Sequence, residues 1–225
     1  MTVKIQIYLH TAEDAANCVQ AGVDFIGLVC DDARLVPFSM NYLETRQVFE
    51  AVPEGVMKVS LSVDEKIPRI LDMVENTAPD VLHLAGRPLS VGQIVELRRT
   101  VPRVKIMQAI SMNSEHPIKM ACKYQSCCDY LILDTNNPRS VDIGATGKTH
   151  DWSISARLVR RVQIPVILAG GISPENVAEA VRQVRPWGVD SYTHTNIPGG
   201  SPVRKDLDRV QQFVDNARSA LDEQE

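Results

Sequence analysis

The sequence predicts an α/β protein, a single-domain (β/α)8 TIM barrel, and three observations lead to this prediction. The 225-residue chain suits one large domain over residues 1–225 better than two small ones, and no linker divides it. Eight apolar runs of strand length alternate with segments of helical spacing. Most of these runs are apolar at consecutive positions, as strands of a parallel sheet covered on both faces are. A doubly wound open sheet is the alternative, and it usually has fewer strands at this length.

The elements follow one another in regular order along the chain. The predicted strands are VKIQIYL (3–9), DFIGLVC (24–30), VMKVSLSV (56–63), DVLHLAG (80–86), RVKIMQAI (103–110), DYLILD (129–134), PVILAG (165–170) and WGVDSYT (187–193). The clearest helical segments are 12–22, 174–184 and 206–221. In the second of these, Pro174 is expected in the first turn and Ser173 as the N-cap.

The composition excludes several classes of function. A net charge of −4 without a basic block gives no reason to expect a nucleic-acid partner. No apolar run approaches the roughly 20 residues that span a bilayer, and the N-terminus lacks the features of a signal peptide, so we expect no membrane partner. Five scattered cysteines suit a reducing cytoplasm. Asp142 occupies the first glycine position of an ATP-binding loop ending at 147–149, so we expect no nucleotide and no cofactor.

In a barrel of this type the carboxyl ends of the strands form the active face. Asp134 ends an apolar strand there, where burial would raise its pKa and suit it to general acid work. The alternatives for Asp134 are a helix N-cap or an ion pair with Lys148 or Arg34. Gly170 and Gly171 end the next strand, where backbone N–H groups can approach a phosphate closely. The alternative for this pair is a tight turn that requires positive φ.

Three of the five histidines fall near strand ends. His83 lies inside the fourth predicted strand, His194 follows the eighth, and His10 follows the first. We expect no metal, because no H-x-H or H-x-x-x-H spacing is present; the less favoured alternative is a site made of His83, His194 and Asp134. The remaining two histidines, His116 and His150, are assigned to loops or the surface.

Four strings in the C-terminal half occur in an order typical of one family. They are DYLILDT (129–135), GATGKTHDW (144–152), PVILAGGISPENVAEAV (165–181) and RPWGVD (185–190). In these strings, and more weakly in AGVDFIGLV (21–29), the chain resembles phosphoribosylanthranilate isomerase, a tryptophan-pathway barrel that performs an Amadori rearrangement. The resemblance implies an isomerase, a small phosphorylated substrate and the barrel fold. It allows a homodimer without defining one.

The resemblance also implies roles for individual residues. Asp134 corresponds to the general acid that opens the sugar ring, and Arg34 to a ligand-contacting arginine. The family's base is a cysteine in the motif K-I-C-G at the end of strand one, which removes the C2′ proton. This chain has Gln6 there, and a neutral amide cannot accept a proton at pH 7. The candidate substitute bases are His83, His10 and Cys30.

Two further positions differ from the family pattern. Tyr192-Thr193-His194 replaces a small S-S-G segment that helps to bind phosphate; Thr193 retains a hydroxyl, and His194 replaces the glycine. In the fourth strand, His83 and Ala85 replace glutamine and histidine. Because several replacements are polar and face the mouth, they favour adaptation to another ligand over decay. The hypotheses are therefore an isomerase acting on a phosphorylated sugar or aminosugar, a sugar-phosphate epimerase or aldolase-type lyase, or a non-catalytic phospho-ligand-binding homologue.

Overall fold

The computed structural model describes residues 2–31, 39–135, 149–199 and 203–221. Within them, eight parallel strands pair in chain order, and the first strand pairs with the last, so the sheet is a closed barrel. The predicted fold class is therefore confirmed, and the open sheet is excluded. The carboxyl ends of all eight strands meet at one end of the barrel.

Each predicted strand is present, and most are one or two residues shorter at an end. The strands are β1 (Lys4–Tyr8), β2 (Phe25–Val29), β3 (Met57–Ser62), β4 (Val81–Leu84), β5 (Lys105–Ser111), β6 (Tyr130–Asp134), β7 (Val166–Leu168) and β8 (Gly188–Ser191). The pairing register places Gln6 opposite Asp190 across β1 and β8. Side chains alternate between the two faces of a strand, and directly paired residues point to the same face. Gln6 and Asp190 therefore point to the same side of the sheet.

Helices pack around the outside of the barrel. They are α1 (Ala12–Gln20), α2 (Tyr42–Glu50), α3 (Ile67–Thr77), α4 (Val91–Thr100), α5 (Pro117–Tyr124), α6 (Trp152–Arg161), α7 (Val177–Val184) and α8 (Leu207–Ser219). Several begin at a polar cap, as where Asn41 and Glu44 form a capping box at α2. None of the described helices is long and apolar enough to cross a membrane.

The start of α7 differs from the prediction. The helix begins at Val177, with Asn176 rather than Ser173 at the N-cap position. Asn176 Oδ1 accepts a hydrogen bond from Ser173 N at 2.8 Å, and Asn176 Nδ2 donates to Gly171 O at 3.0 Å. These two hydrogen bonds of Asn176 stabilise a turn in the segment after β7, and the helix therefore begins about one helical turn later than predicted.

Two apolar layers hold the barrel together. The larger lies between strands and helices and includes Ile5, Ile26 and Leu28. The smaller fills the barrel interior. At the amino end of the strands the rings of Phe25, Tyr130 and Trp187 pack together, with centroids 5.4–5.9 Å apart. Because these rings close that end, the polar residues that face inward are concentrated towards the other end.

One glycine makes room for a large ring inside the barrel. Gly27 lies in the middle of β2, and a Cβ placed on it would lie 2.6 Å from Cε1 of Tyr8. No side chain tolerates so short a contact, so the ring of Tyr8 crosses the barrel only because residue 27 is a glycine.

We expect Gly27→Ala to lower the free energy of unfolding by about 1–3 kcal/mol, because the added methyl group overpacks the interior against Tyr8. The measurement is urea unfolding followed by circular dichroism. Gly92→Ala in α4 is the matched control: the nearest atom to its Cβ is Ser90 Oγ at 4.0 Å, and alanine favours a helix. A Gly27→Ala protein as stable as the unsubstituted one would contradict this packing.

Candidate active site

Among the described residues, five buried polar side chains on the strands face inward towards the carboxyl ends of the strands. They are Gln6 and Tyr8 on β1, His83 on β4, Asp134 on β6 and Asp190 on β8. All five are buried. Polar groups are rarely buried in a barrel without a partner or a function, so this cluster, which we call the mouth cluster, is the candidate active site.

Asp134 has the properties that the sequence predicts for a general acid. It is the last residue of β6, and its burial raises the pKa of the carboxyl from 3.8 to about 6. A hydrogen bond of 2.6 Å from Thr135 N to Asp134 Oδ1 opposes this shift. Arg34 and Lys148, the alternative ion-pair partners, lie outside the described residues. A carboxyl with this pKa carries a proton in about half of the molecules at pH 6 and in about a tenth of them at pH 7.

Asp190 is a second buried carboxyl in the mouth cluster, and sequence reasoning missed it. Gln6 Nε2 donates a hydrogen bond to Asp190 Oδ1 at 3.0 Å, while Gln6 Oε1 is buried without a hydrogen-bond partner. Burial raises the pKa of Asp190 to about 7; the Gln6 hydrogen bond opposes the shift, and the negative charge of Asp134 adds to it. The available signal was the same as for Asp134: a carboxylate that interrupts an apolar strand.

His83 reaches the mouth cluster but is a weak base there. Its Nδ1 lies 2.5 Å from the hydroxyl of Tyr8, and its Nε2 is buried without a partner. Burial lowers the pKa of His83 to about 3. The imidazole is therefore neutral at pH 7, and its low pKa gives it little affinity for a proton taken from carbon.

His10 lies in the loop after β1 and pairs with a residue from the loop after β8. Its Nε2 is 2.8 Å from the hydroxyl of Tyr192. Burial, aided by the positive charge of Lys205, lowers the pKa of His10 to about 4. Lys205 Nζ donates to Tyr192 O at 2.9 Å and lies 4.9 Å from the centre of the Tyr192 ring. Like His83, His10 is a neutral and weakly basic histidine.

Cys30 does not belong to the mouth cluster. It follows Leu28 in the outward-facing alternation of β2, and its sulphur lies in the layer between strands and helices. Thr45 Oγ1 on α2 donates to Cys30 Sγ at 3.5 Å, and Cys30 Sγ donates to Leu28 O at 3.4 Å. Burial raises the pKa of the thiol to about 11. The expectation that Cys30 could supply the base does not fit this placement, because its side chain faces away from the mouth.

Gly170 and Gly171 form a backbone turn that other residues would strain. Their φ angles are +77° and +68°, which L side chains rarely adopt. A Cβ on Gly170 would lie 3.1 Å from Thr135 N and 3.2 Å from His150 Nδ1. The positive φ angles agree with the interpretation of this pair as a tight turn. They agree equally with a backbone that an anion approaches closely.

The neighbourhood of Gly170 includes a histidine that sequence reasoning assigned to a loop or the surface. His150 Nε2 is 2.7 Å from Ser155 Oγ, and its Nδ1 is buried without a partner. Burial lowers the pKa of His150 to about 4. No simple pattern in the sequence marks this residue, because its environment depends on contacts with residues elsewhere in the chain, such as Ser155 and Gly170.

The other predicted phosphate residues lie on the segment after β8. Thr193 and His194 belong to a short 3-10 helix, Thr193–Thr195, with Thr193 exposed and His194 half-buried. The carbonyl of His194 accepts a hydrogen bond from Arg209 Nε at 2.7 Å. Among the described residues, which include His83, His194 and Asp134, no group of three histidines, cysteines or carboxylates is arranged to hold a metal ion.

A closed (β/α)8 barrel with two buried carboxyls and a Gly-Gly turn at its mouth has the architecture of the barrel enzymes, whose active sites lie at the carboxyl ends of the strands. The particular family follows from comparison with known proteins. The family model described as N-(5'phosphoribosyl)anthranilate (PRA) isomerase matches residues 5–216, and the chain belongs to this family. The resemblance to phosphoribosylanthranilate isomerase and the predicted enzyme class, an isomerase, are both confirmed.

Individual relatives agree with the family assignment. N-(5'-phosphoribosyl)anthranilate isomerase of Methanocella arvoryzae is 32% identical over 209 residues, which cover 92% of this chain and 94% of the relative. A solved phosphoribosyl anthranilate isomerase in complex with reduced 1-(o-carboxyphenylamino)-1-deoxyribulose 5-phosphate has a TM-score of 0.77 and 25% identity, covering 96% of this chain and 99% of the other. Monomers generated from the dimeric enzyme of Thermotoga maritima match at a TM-score of 0.77 and 26% identity, with the same coverage.

The raised pKa of Asp134 predicts how its replacement changes stability with pH. The folded state holds this proton up to about pH 6, whereas the ordinary value is 3.8, so ionisation of Asp134 costs stability as the pH rises through that window. We therefore expect Asp134→Asn to gain on the order of 1–3 kcal/mol of unfolding free energy at pH 8 and about half of that gain at pH 5. Urea unfolding at the two pH values measures this.

Glu54→Gln, at an exposed position in the turn before β3, is the control for replacing a carboxylate by an amide. It is expected to leave the unfolding free energy unchanged at both pH values. An equal effect of Asp134→Asn at pH 5 and pH 8 would show that the carboxyl is not held protonated by the fold.

Proposed function

We propose that this chain catalyses the Amadori isomerisation of N-(5′-phosphoribosyl)anthranilate with Asp134 as the general acid. The observation that carries the proposal is the buried carboxyl at the end of β6, with a pKa near 6, in a barrel of this family. Asp134 gives its proton to the ring oxygen, and the bond from that oxygen to C1′ breaks. The open-chain imine then loses the C2′ proton to a base, and proton return to C1′ completes the aminoketose.

We further propose that the phosphate of the substrate binds at Gly170 and Gly171. Gly170 lies beside Thr135, Gly171 follows it directly, and the left-handed conformation of both residues turns the backbone where a side chain would block an anion. The relative solved with a 5-phosphate analogue supports a phosphorylated ligand. Arg34, Thr193 and His194 remain proposals from the resemblance, and Arg34 lies outside the described residues.

Gln6 and Tyr192 favour a second candidate. With an amide at the family's base position, and Tyr192 bonded to His10 beside it, the mouth could serve another sugar-phosphate isomerisation, an epimerisation or an aldolase-type cleavage, or binding without chemistry. A homodimer, for which the dimeric Thermotoga maritima relative is the support, is likewise proposed. The free state of all five cysteines supports a reducing, cytoplasmic setting.

The proposed reaction is tested by loss of substrate fluorescence when the purified protein is mixed with phosphoribosylanthranilate. We expect turnover, and we expect Asp134→Asn to lower kcat by about 10²–10⁴-fold, because a positioned acid is worth that much. Glu54→Gln should retain full activity. Gln6→Cys should retain or raise turnover, because a thiol then occupies the family's base position. Turnover absent both before and after Gln6→Cys would exclude the family reaction.

The proposed phosphate site is tested by Gly170→Ala. The added methyl group would press on Thr135 and His150 and displace the backbone that faces the anion, so we expect KM to rise by about tenfold or more with a smaller change in kcat. Inorganic phosphate should inhibit this variant correspondingly less. Gly55→Ala is the matched control: Gly55 has a φ of +92° and no atom within 4 Å of its Cβ, and it precedes β3 at the opposite end of the barrel. Equal KM values for the two variants would remove Gly170 from the site.

A further inference from the structure

We infer that Asp190, oriented by its hydrogen bond from Gln6, is the general base that removes the C2′ proton. The inference rests on the proposed isomerisation and completes it, because Asp134 supplies an acid and Gln6 leaves the family's base position without a proton acceptor. It assigns the missing role to a residue on the neighbouring strand.

The first argument is position. Gln6 stands where the family has its base, and Asp190 is its direct partner in the β1–β8 pairing. One hydrogen bond of 3.0 Å joins Gln6 Nε2 to Asp190 Oδ1. Asp190 therefore places a proton acceptor at the same level of the barrel as the family's base position, but on the neighbouring strand β8 instead of β1. The amide holds one carboxylate oxygen, and the second oxygen is the one that accepts the proton.

The second argument is a polar atom that the fold leaves without a partner. Gln6 is 1% exposed, yet its Oε1 has no hydrogen bond, and His83 Nε2 in the same mouth cluster also has none. Buried polar atoms in a barrel mouth are satisfied in native proteins by a ligand or by water. Both atoms suit hydroxyl groups of a sugar, which would place the substrate against the carboxylate of Asp190.

The third argument is chemical suitability among the candidates. A base works best when its pKa lies near the working pH, and the pKa of Asp190 is about 7. The pKa values of His83 and His10 are about 3 and about 4, so both are much weaker proton acceptors. Cys30, with a pKa of about 11, faces the helices. Asp190 alone among these residues combines the required position with the required basicity.

The charged and titratable groups around Asp190 set its ionisation. Asp134 raises the pKa of Asp190 by charge repulsion, whereas Lys205 and the Gln6 hydrogen bond lower it. Tyr8, whose own pKa is raised well above its usual value by burial, contributes a neutral hydroxyl bonded to His83. Each of the two carboxyls is therefore partly protonated near neutral pH.

The proton-transfer step balances without any external reagent. After ring opening, the C2′–H bond breaks and its proton goes to Asp190, while its electron pair forms a double bond between C1′ and C2′. The π electrons of the C1′=N bond move to nitrogen. The proton then returns from Asp190 to C1′, the C2′ hydroxyl becomes a carbonyl, and the proton that this hydroxyl releases restores the acid form of Asp134. C2′ is oxidised and C1′ is reduced within one molecule, which is an isomerisation.

The pair predicts a bell-shaped pH profile. The productive form has a proton on Asp134 and none on Asp190. With pKa values of about 6 and about 7, kcat/KM should rise up to about pH 6, stay near its maximum, and fall above about pH 7. If Asp190 is replaced by asparagine, the residual activity should no longer decline at low pH, because the group whose protonation removes the base is absent.

The test compares the unsubstituted protein, Asp190→Asn, the double variant Gln6→Cys with Asp190→Asn, and Glu54→Gln as control. Each is assayed with phosphoribosylanthranilate carrying hydrogen or deuterium at C2′. We expect Asp190→Asn to lower kcat by about 10²–10⁴-fold with KM changed less than about fivefold, and to increase the isotope effect. The thiol of the double variant should raise kcat at least about tenfold above that of Asp190→Asn. The kcat of Glu54→Gln should equal that of the unsubstituted protein.

The outcomes separate the two proposals. If Asp190→Asn keeps kcat within about threefold and retains the decline at low pH, Asp190 is not the base, while turnover leaves the proposed isomerisation in place. If the unsubstituted protein shows no turnover, the proposed function fails and the role of Asp190 fails with it. Should Asp190→Asn not fold, Gln6→Ala replaces it: loss of the amide donor raises the pKa of Asp190, so the pH optimum must move upward, and an unmoved optimum overturns the inference.

Discussion

The burial of two carboxyl groups at one end of the barrel is the constraint on which the rest of this structure depends. Asp134 and Asp190 lie on strands separated only by β7, and neither can be ionised there without a cost in solvation free energy. The fold maintains them because the aromatic rings at the amino end and the two apolar layers supply the compensating stability. The same burial gives the carboxyls the proton affinities that acid/base chemistry near neutral pH requires.

Much of the fold and part of the site could be predicted from the sequence. Continuous apolar runs identified all eight strands, and strand order in a barrel then located Asp134 and the Gly170-Gly171 turn at the mouth. Errors arose where the outcome depended on alternation within a strand. Cys30 and Val29 are adjacent in sequence, yet the sulphur faces the helices while the valine faces the interior. A uniformly apolar strand carries no periodic signal that would distinguish its two faces.

Other features were unpredictable because they arise from contacts between distant parts of the chain. The pKa of His83 is lowered by burial among strands, and its ring is hydrogen-bonded to Tyr8, which lies 75 residues away in the sequence. The pairing of Gln6 with Asp190 joins residues 184 apart. Residue type alone made the histidines attractive bases, whereas the three-dimensional environment favours a carboxylate. The Ser173 cap failed for a local reason, since the Asn176 side chain competes for the same backbone.

The aromatic floor of Phe25, Tyr130 and Trp187 has a consequence for how such a protein can change over evolutionary time. The rings stabilise the barrel at the end away from the mouth. Substitutions among the mouth residues therefore change little of the packing that holds the strands together. A lineage can therefore exchange a cysteine for a glutamine, or a serine for a tyrosine, and test new chemistry on an intact scaffold.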